Sequence, residues 1–216
     1  MNMGKDLTEV RSPQRQLAPD IVGLEQGEPT FLWGIANKAK TKKRHRFRDL
    51  YRCLNEELIY HAWVSLNKGA ASGVDNVTAE AYAEDLHANI QRLVGRLKTK
   101  RYRAKLVRRV YIPKENGKQR PLGIPALEDR LIQSAAAKVL TAIYEQDFYD
   151  FSHGFRKGHS QHQALAELWK LCRSVNIGWI LDADVSGFFD NLDHGWLRRI
   201  IKRRVNDGGL LRMVGK

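Results

Sequence analysis

The sequence predicts an α+β fold, mainly helical, with one basic β-hairpin. Three observations lead there. Apolar residues recur at helical spacing in several separate stretches, each bounded by capping or glycine-rich breaks. Two short runs rich in branched residues flank Asn116-Gly117, a pair suited to the positive φ angles of a tight hairpin turn. An apolar run, Trp179-Ile180-Leu181, gives way to Asp182-Ala183-Asp184 and then to Gly187-Phe188-Phe189, which predicts a buried strand over 178–184 ending on carboxylates.

Along the chain, residues 1–46 read as a flexible basic N-terminal arm. Pro13, Pro19, Pro29, Gly23 and Gly27 punctuate its first part, and no sustained period is present. Residues 38–48 carry seven Lys or Arg and no acid, which suits either a solvated segment or a phosphate grip. From Phe47 to Leu66, the four-residue spacing of Leu50, Leu54, Leu58, Ala62 and Leu66, widened by Tyr51 and Trp63, predicts a helix. Lys68-Gly69-Ala70-Ala71-Ser72-Gly73 breaks it. Thr78 is placed to cap a second helix that buries Tyr82, Leu86, Ile90, Leu93 and Leu97. The hairpin strands are expected at 106–112 and 120–124. A helix over 128–148 turns Leu131, Ala135, Leu140 and Ile143 inward, and Ser160 caps another that buries Leu165, Leu168, Trp169 and Cys172. A short basic helix over 194–205, with Trp196, Leu197, Ile200 and Ile201 on its apolar side, and a new helical pattern from Gly209 complete the chain.

With 216 residues, 43% of them hydrophobic, the chain can bury one good-sized core or two small ones. A formal charge of +13 predicts an extended polyanion as partner, because self-repulsion of that size brings a small-molecule enzyme no gain. Nucleic acid fits better than a membrane, since no apolar run approaches the ~20 residues a span needs. No signal peptide is apparent, so a cytoplasmic location is expected. Cys53 and Cys172 stand alone, without zinc or disulfide spacing.

Two stretches carry the chemistry. Between Arg96 and Arg120 there are eleven Lys or Arg against one acid, Glu115. A helix end and a hairpin hold such charge at defined spacing, as a phosphate site requires, although an edge hairpin kept soluble by its cations has the same composition. Lys114 and Arg120 flank the turn and could neutralise a triphosphate together. The second stretch is the turn at Asp184, where a carboxylate, a glycine and paired aromatics could hold a divalent metal against a stacked substrate. A calcium loop competes for the same residues, because Asp182, Asp184, Ser186, Gly187, Asp190 and Asp193 fall at positions 1, 3, 5, 6, 9 and 12 of an EF-hand. Against it, a strand-like run precedes the loop where a helix belongs, and position 12 is Asp where Glu is expected.

Five blocks in order also carry a family resemblance: 67–75, Val110 to Pro125, Asp129-Arg130, Ser152 to Arg156, and Asp184 to His194. Over roughly 47–216 the chain resembles the reverse transcriptase domain of group II intron-encoded proteins, the intron maturases. The resemblance implies right-hand polymerase fingers over 47–175 and the start of a palm over 176–216. Asp184 matches the palm aspartate that ligates Mg²⁺, and Val185 the neighbour whose carbonyl touches one metal. Phe189 matches the aromatic beneath the incoming sugar, and Lys114 and Arg120 the groups that grip the dNTP triphosphate. The 69–75 stretch looks like a loop lying over template RNA. RNA contacts are therefore expected at Lys68, Gly69, Arg101, Arg103, Lys105, Arg108 and Arg109.

The implied partners are intron or template RNA, primer DNA and dNTP, with Mg²⁺ as cofactor. The implied activity is RNA-directed DNA polymerisation. The alternatives are a catalytically inactive RNA-binding module that aids splicing, and a retron or diversity-generating reverse transcriptase. One aspartate cannot hold two metals, and no Tyr-x-Asp-Asp turn occurs in the sequence. The chain is accordingly expected to be an N-terminal piece that does not polymerise alone.

Overall fold

Helix α5, Leu127–Tyr144, organises the molecule. Glu128 and Asp129 in its first turn suit the positive end of the helix dipole. Its Leu131, Ile132, Ala135, Val139, Ala142 and Ile143 are buried, and the alanines let neighbouring helices approach closely. The protein is described by a computed structural model covering residues 21–113, 117, 119–174, 176–189 and 191–215. The first part of the expected arm therefore lies outside the described residues.

Helices α1 (Thr30–Thr41) and α2 (Glu56–Ser65) pack on α5. The arm expected to reach residue 46 is thus replaced from Thr30 by a core helix that buries Leu32, Ala36 and Ala39. Small residues give that face little hydrophobic signal in the sequence. The single helix expected over 47–66 is also corrected. Asp49 takes a left-handed conformation at φ 57°, a 3₁₀ turn follows at Leu50–Cys53, and the Asn55 side chain caps α2 by accepting the Leu58 amide at 2.9 Å. These local hydrogen bonds outcompete one continuous helix.

Thr78 caps as expected, accepting from the Ala81 amide at 3.3 Å, but its helix divides into α3 (Ala79–Ala83) and α4 (Leu86–Lys98). Tyr82, Ile90, Leu93 and Leu97 are buried and Leu86 is half-buried. Strands β1 (Arg108–Pro113) and β2 (Gln119–Ile124) form the expected antiparallel hairpin, so the fold is α+β with one two-stranded sheet among the described residues.

Helix α6 (Gln161–Ser174) carries the expected cap, with Ser160 and Gln163 bonded reciprocally. Its apolar face is not buried: Leu165, Leu168, Trp169 and Cys172 are exposed. The buried strand over 178–184 is likewise absent. That segment makes no strand pairing, and Trp179 and Leu181 are 95% and 91% exposed. A strand needs a partner for its backbone groups, and none of the described residues provides one.

Helix α7 (His194–Ile201) is capped by Asp193, which accepts from Trp196 at 2.7 Å. Ile201 is buried and Leu197 half-buried, whereas Trp196 and Ile200 are exposed. Helix α8 (Gly208–Val214) returns to the core at Leu210. Two ties bring this end of the chain to its beginning. Phe47 pairs with Val205 as a parallel bridge, and the buried Arg204 guanidinium donates to the Lys43 carbonyl and, at 2.9 Å, to the Ala39 carbonyl. None of the described helices is long and apolar enough to cross a membrane.

Asp207 accepts from the amides of Gly209 at 2.8 Å, Leu210 at 3.0 Å and Tyr51 at 2.8 Å. Asp207→Ala leaves these donors unpaired and should cost about 2–3 kcal/mol in urea unfolding. Asp207→Asn, which keeps an acceptor, should cost clearly less.

Candidate nucleic-acid interface

The exit from α4 sets the direction of the basic stretch. Lys100 adopts φ 57°, and the amides of Arg101 and Tyr102 both return to the Arg96 carbonyl, at 2.9 and 3.1 Å. This closes the helix and turns 100–107 across the start of α5. Arg96 itself bonds Glu128 at 2.5 Å, clamping α4 to α5.

Lys105 anchors the stretch. Its amide donates to Asp129 Oδ2 at 3.0 Å, and its ammonium to Asp75 Oδ2 at 2.9 Å. One residue thereby joins the 67–75 loop, the basic loop and α5. Burial pushes the Asp129 carboxyl up, and the nearby Asp75 charge adds to this against the Lys105 amide. Burial also opposes ionisation of Asp75, but the Lys105 and Val77 hydrogen bonds outweigh it and hold that carboxyl below its ordinary value. Gly73 completes the joint, because a Cβ there would lie 2.6 Å from the Ala126 Cα and 2.9 Å from the Pro125 carbonyl carbon. Only glycine allows the loop to lie this close to the exit of β2.

The predicted RNA residues therefore differ in availability. Lys68 donates to the Trp63 carbonyl at 3.1 Å and lies over the Trp63 ring, and the Gly69 amide bonds Asn67 Oδ1 at 3.0 Å. Lys68 and Lys105 act within the protein, and Gly69 shapes the loop. Arg101, Arg103 and Arg109 are exposed, and Arg108 is half-buried, its Nε lacking a partner among the described residues.

The hairpin register pairs Arg108 with Ile124, Arg109 with Gly123 and Arg120 with Ile112. Arg108 and Arg120 consequently share one face, four residues apart along the ladder or roughly 13 Å, with the Val110–Leu122 pair between them. Arg109 and Tyr111 occupy the other. Both faces are open, with Tyr111 55% and Ile112 45% exposed. Guanidinium groups interleaved with exposed apolar and aromatic surface suit a phosphate backbone and its bases. Lys114 and Asn116 lie outside the described residues.

Around Asp184 the turn is formed but open. Gly187 takes φ 59°, and its carbonyl accepts from the Asn191 amide and side chain, both at 3.0 Å. Phe188 and Phe189 meet edge to face at 5.3 Å, with Phe189 80% exposed. Val185 and Asp184 are exposed as well. The described residues contain no group of three or more His, Cys, Asp or Glu able to hold a metal, so these side chains do not by themselves fit a complete divalent-metal site. The calcium loop loses further support here: no helix precedes it, and Asp193 is engaged in capping α7.

The sequence places Asp75 and Asp129 within the blocks of the family resemblance but singles out neither of them, nor Tyr102. Asp75 is a lone acid and Asp129 follows Glu128, and their shared partner Lys105 becomes visible only once the loops meet.

Residues 112–207 match the family described as Reverse transcriptase (RNA-dependent DNA polymerase). The chain is 36% identical over 190 residues to Protein YkfC of Escherichia coli K12, covering 84% of this chain and 50% of that protein. It is 38% identical over 175 residues to the Group II intron-encoded protein LtrA of Lactococcus lactis, covering 79% of this chain and 28% of that protein. An uncharacterized 91 kDa protein in the cob intron of Schizosaccharomyces pombe is 30% identical over 174 residues, covering 78% of this chain and 21% of its own length. The chain thus spans half or less of the length of these relatives.

The depressed Asp75 carboxyl contributes stability above its unfolded pKa of about 4, and this is lost as pH falls through the lower folded value. Asp75→Asn should therefore unfold at lower temperature at neutral pH and lose less of its melting temperature on acidification than the parent protein. Parallel acid-limb slopes in melts followed by circular dichroism would remove the joint's electrostatic role.

Proposed function

This chain belongs to the reverse transcriptase family of group II intron-encoded proteins, and we propose that it forms the fingers and the first part of the palm of an RNA-directed DNA polymerase. The observation that carries this reading is the hairpin. Arg108 and Arg120 share an exposed face above a base held rigid by Lys105, Asp75 and Asp129. Fixed cations lose little freedom on binding phosphate, which makes such a surface a better polyanion site than a mobile tail.

In this proposal intron or template RNA lies along the 67–75 loop and the basic loop, contacting Arg101, Arg103 and Arg109. Arg120, with Lys114, grips the triphosphate of the incoming dNTP opposite primer DNA. Phe189 packs beneath the sugar. Asp184 is one carboxylate, and Val185 one carbonyl, of a Mg²⁺ site whose remaining ligands come from outside the described residues. The metal's chemistry in this family of reactions is charge stabilisation at phosphate.

RNA affinity measured at several salt concentrations tests the reading. The logarithm of affinity should fall steeply and linearly with that of salt, and Arg101→Gln with Arg103→Gln and Arg109→Gln should lower the slope by about 2–3, near one unit per lost phosphate contact. A flat dependence in the parent protein would overturn it.

Asp184→Asn should leave RNA affinity within about twofold, because it alters one charge among many. A larger loss would place Asp184 in the RNA surface instead of at the metal.

A further inference from the structure

A cleft of about 320 Å³ lies between the basic loop, α5 and α8, and none of Arg120, Asp184, Val185 or Phe189 lines it. Its lining combines groups that seldom meet without a ligand. Lys100, Arg103 and Arg212 are exposed cations without an ion-pair partner among the described residues. Tyr102 carries a buried hydroxyl with no hydrogen bond among the described residues. Asp129 is only 5% exposed, and of its carboxylate oxygens only Oδ2 is bonded among the described residues. An unsatisfied buried hydroxyl is costly, and a cleft that sets one beside a buried carboxylate and three exposed cations is suited to a polar anionic ligand of matching size.

We propose that this cleft binds one nucleotide whose base carries an exocyclic amino group. Lys100, Arg103 and Arg212 hold the phosphate, the Tyr102 hydroxyl bonds a ligand oxygen or nitrogen, and the base amino group donates to Asp129. A carboxylate accepts from the amino group of adenine or cytosine. In uracil the single N3–H lies between two carbonyl oxygens that a carboxylate repels, so uracil is disfavoured. The wall itself is built for closeness: a Cβ at Gly209 would sit 2.9 Å from the Tyr51 ring, so α8 can enter beside Tyr51 only through glycine. The nucleotide is either free in solution or one residue of bound RNA turned out of its stack. The cleft shares Arg103 with the RNA path proposed above but holds none of the residues assigned there to dNTP or metal, and its ligand does not depend on that reading.

The test uses AMP, UMP, adenosine and inorganic phosphate with the intact chain, by calorimetry and by methyl NMR at Met213, which lines the cleft. AMP should bind saturably and shift the Met213 methyl, with UMP and adenosine each weaker by about tenfold or more. Asp129→Asn should abolish the preference for AMP over UMP. Because Asp129 also holds Lys105, a second variant avoids that contact: Lys100→Ala with Arg103→Ala should weaken AMP about tenfold or more while leaving adenosine unchanged. Absence of saturable AMP binding, equal binding of AMP and UMP by the parent protein, or an unmoved Met213 would overturn the proposal. Oligo(A) RNA that displaces AMP identifies a nucleotide of bound RNA as the ligand, and simultaneous binding identifies a free nucleotide. If the salt-dependent RNA affinity persists while AMP fails to bind, the cleft alone is refuted.

Discussion

The buried face of α5 is the constraint on which the rest depends. Its alternation of leucine, isoleucine and alanine admits α1 and α2 at close range, and its ends are held by polar contacts. At the start Asp129 receives the basic loop and Glu128 receives Arg96. At the far end Tyr144 donates to the Ile201 carbonyl at 2.7 Å, and the buried Glu145 pairs with Arg156 at 2.6 Å. A buried ion pair of this kind adds little net stability but is costly to break from one side, so it fixes where the 145–156 segment runs.

The same helix explains how an exposed hairpin can present charge at defined positions. Two isolated strands are marginal in water, and this pair has solvent on both faces. Its placement comes from below, through the Lys105 contacts and the close approach of Gly73 to Pro125 and Ala126. Stability is concentrated in the base and exposure along the strands, which separates the residues that hold the loop from those free to meet phosphate. Lys105 shows the cost of reading charge without geometry: as a cation in a basic run it resembles Arg103, yet its ammonium is already committed to Asp75.

The elements legible in the sequence were those decided by their own residues. Thr78, Ser160 and the two hairpin strands declare themselves through local hydrogen bonding and backbone preference. Helix α1 was hidden because two of its buried residues are alanines amid lysines, so its packing on α5 is a tertiary fact. The 47–66 segment misled in the opposite sense, since a four-residue apolar spacing continued across Asn55, whose side chain starts a new helix. The apolar run at 179–181 has the composition of a buried strand but no pairing partner among the described residues, and composition alone cannot supply one. At the candidate interface the cations are legible and the acids that fix them are not, because Asp129 and Asp75 lie 24 and 30 residues from Lys105 in the chain and no local pattern joins them.

The closure of Arg204 on the end of α1 bears on the order in which the protein forms. Arg204 and Ala39 are 165 residues apart in the chain, and Phe47 meets Val205 at a comparable separation. At a synthesis rate of about 5–20 residues per second, roughly 8–33 s pass between the appearance of α1 and that of its guanidinium clasp. Throughout that interval the Ala39 carbonyl lacks the guanidinium that covers it in the fold, and the Phe47 backbone is open to any other extended segment. Contacts of such span also slow folding once the chain is complete, since the loop entropy is spent before the contact returns anything. The nascent chain is therefore most open to mispairing around Phe47 until residue 205 emerges.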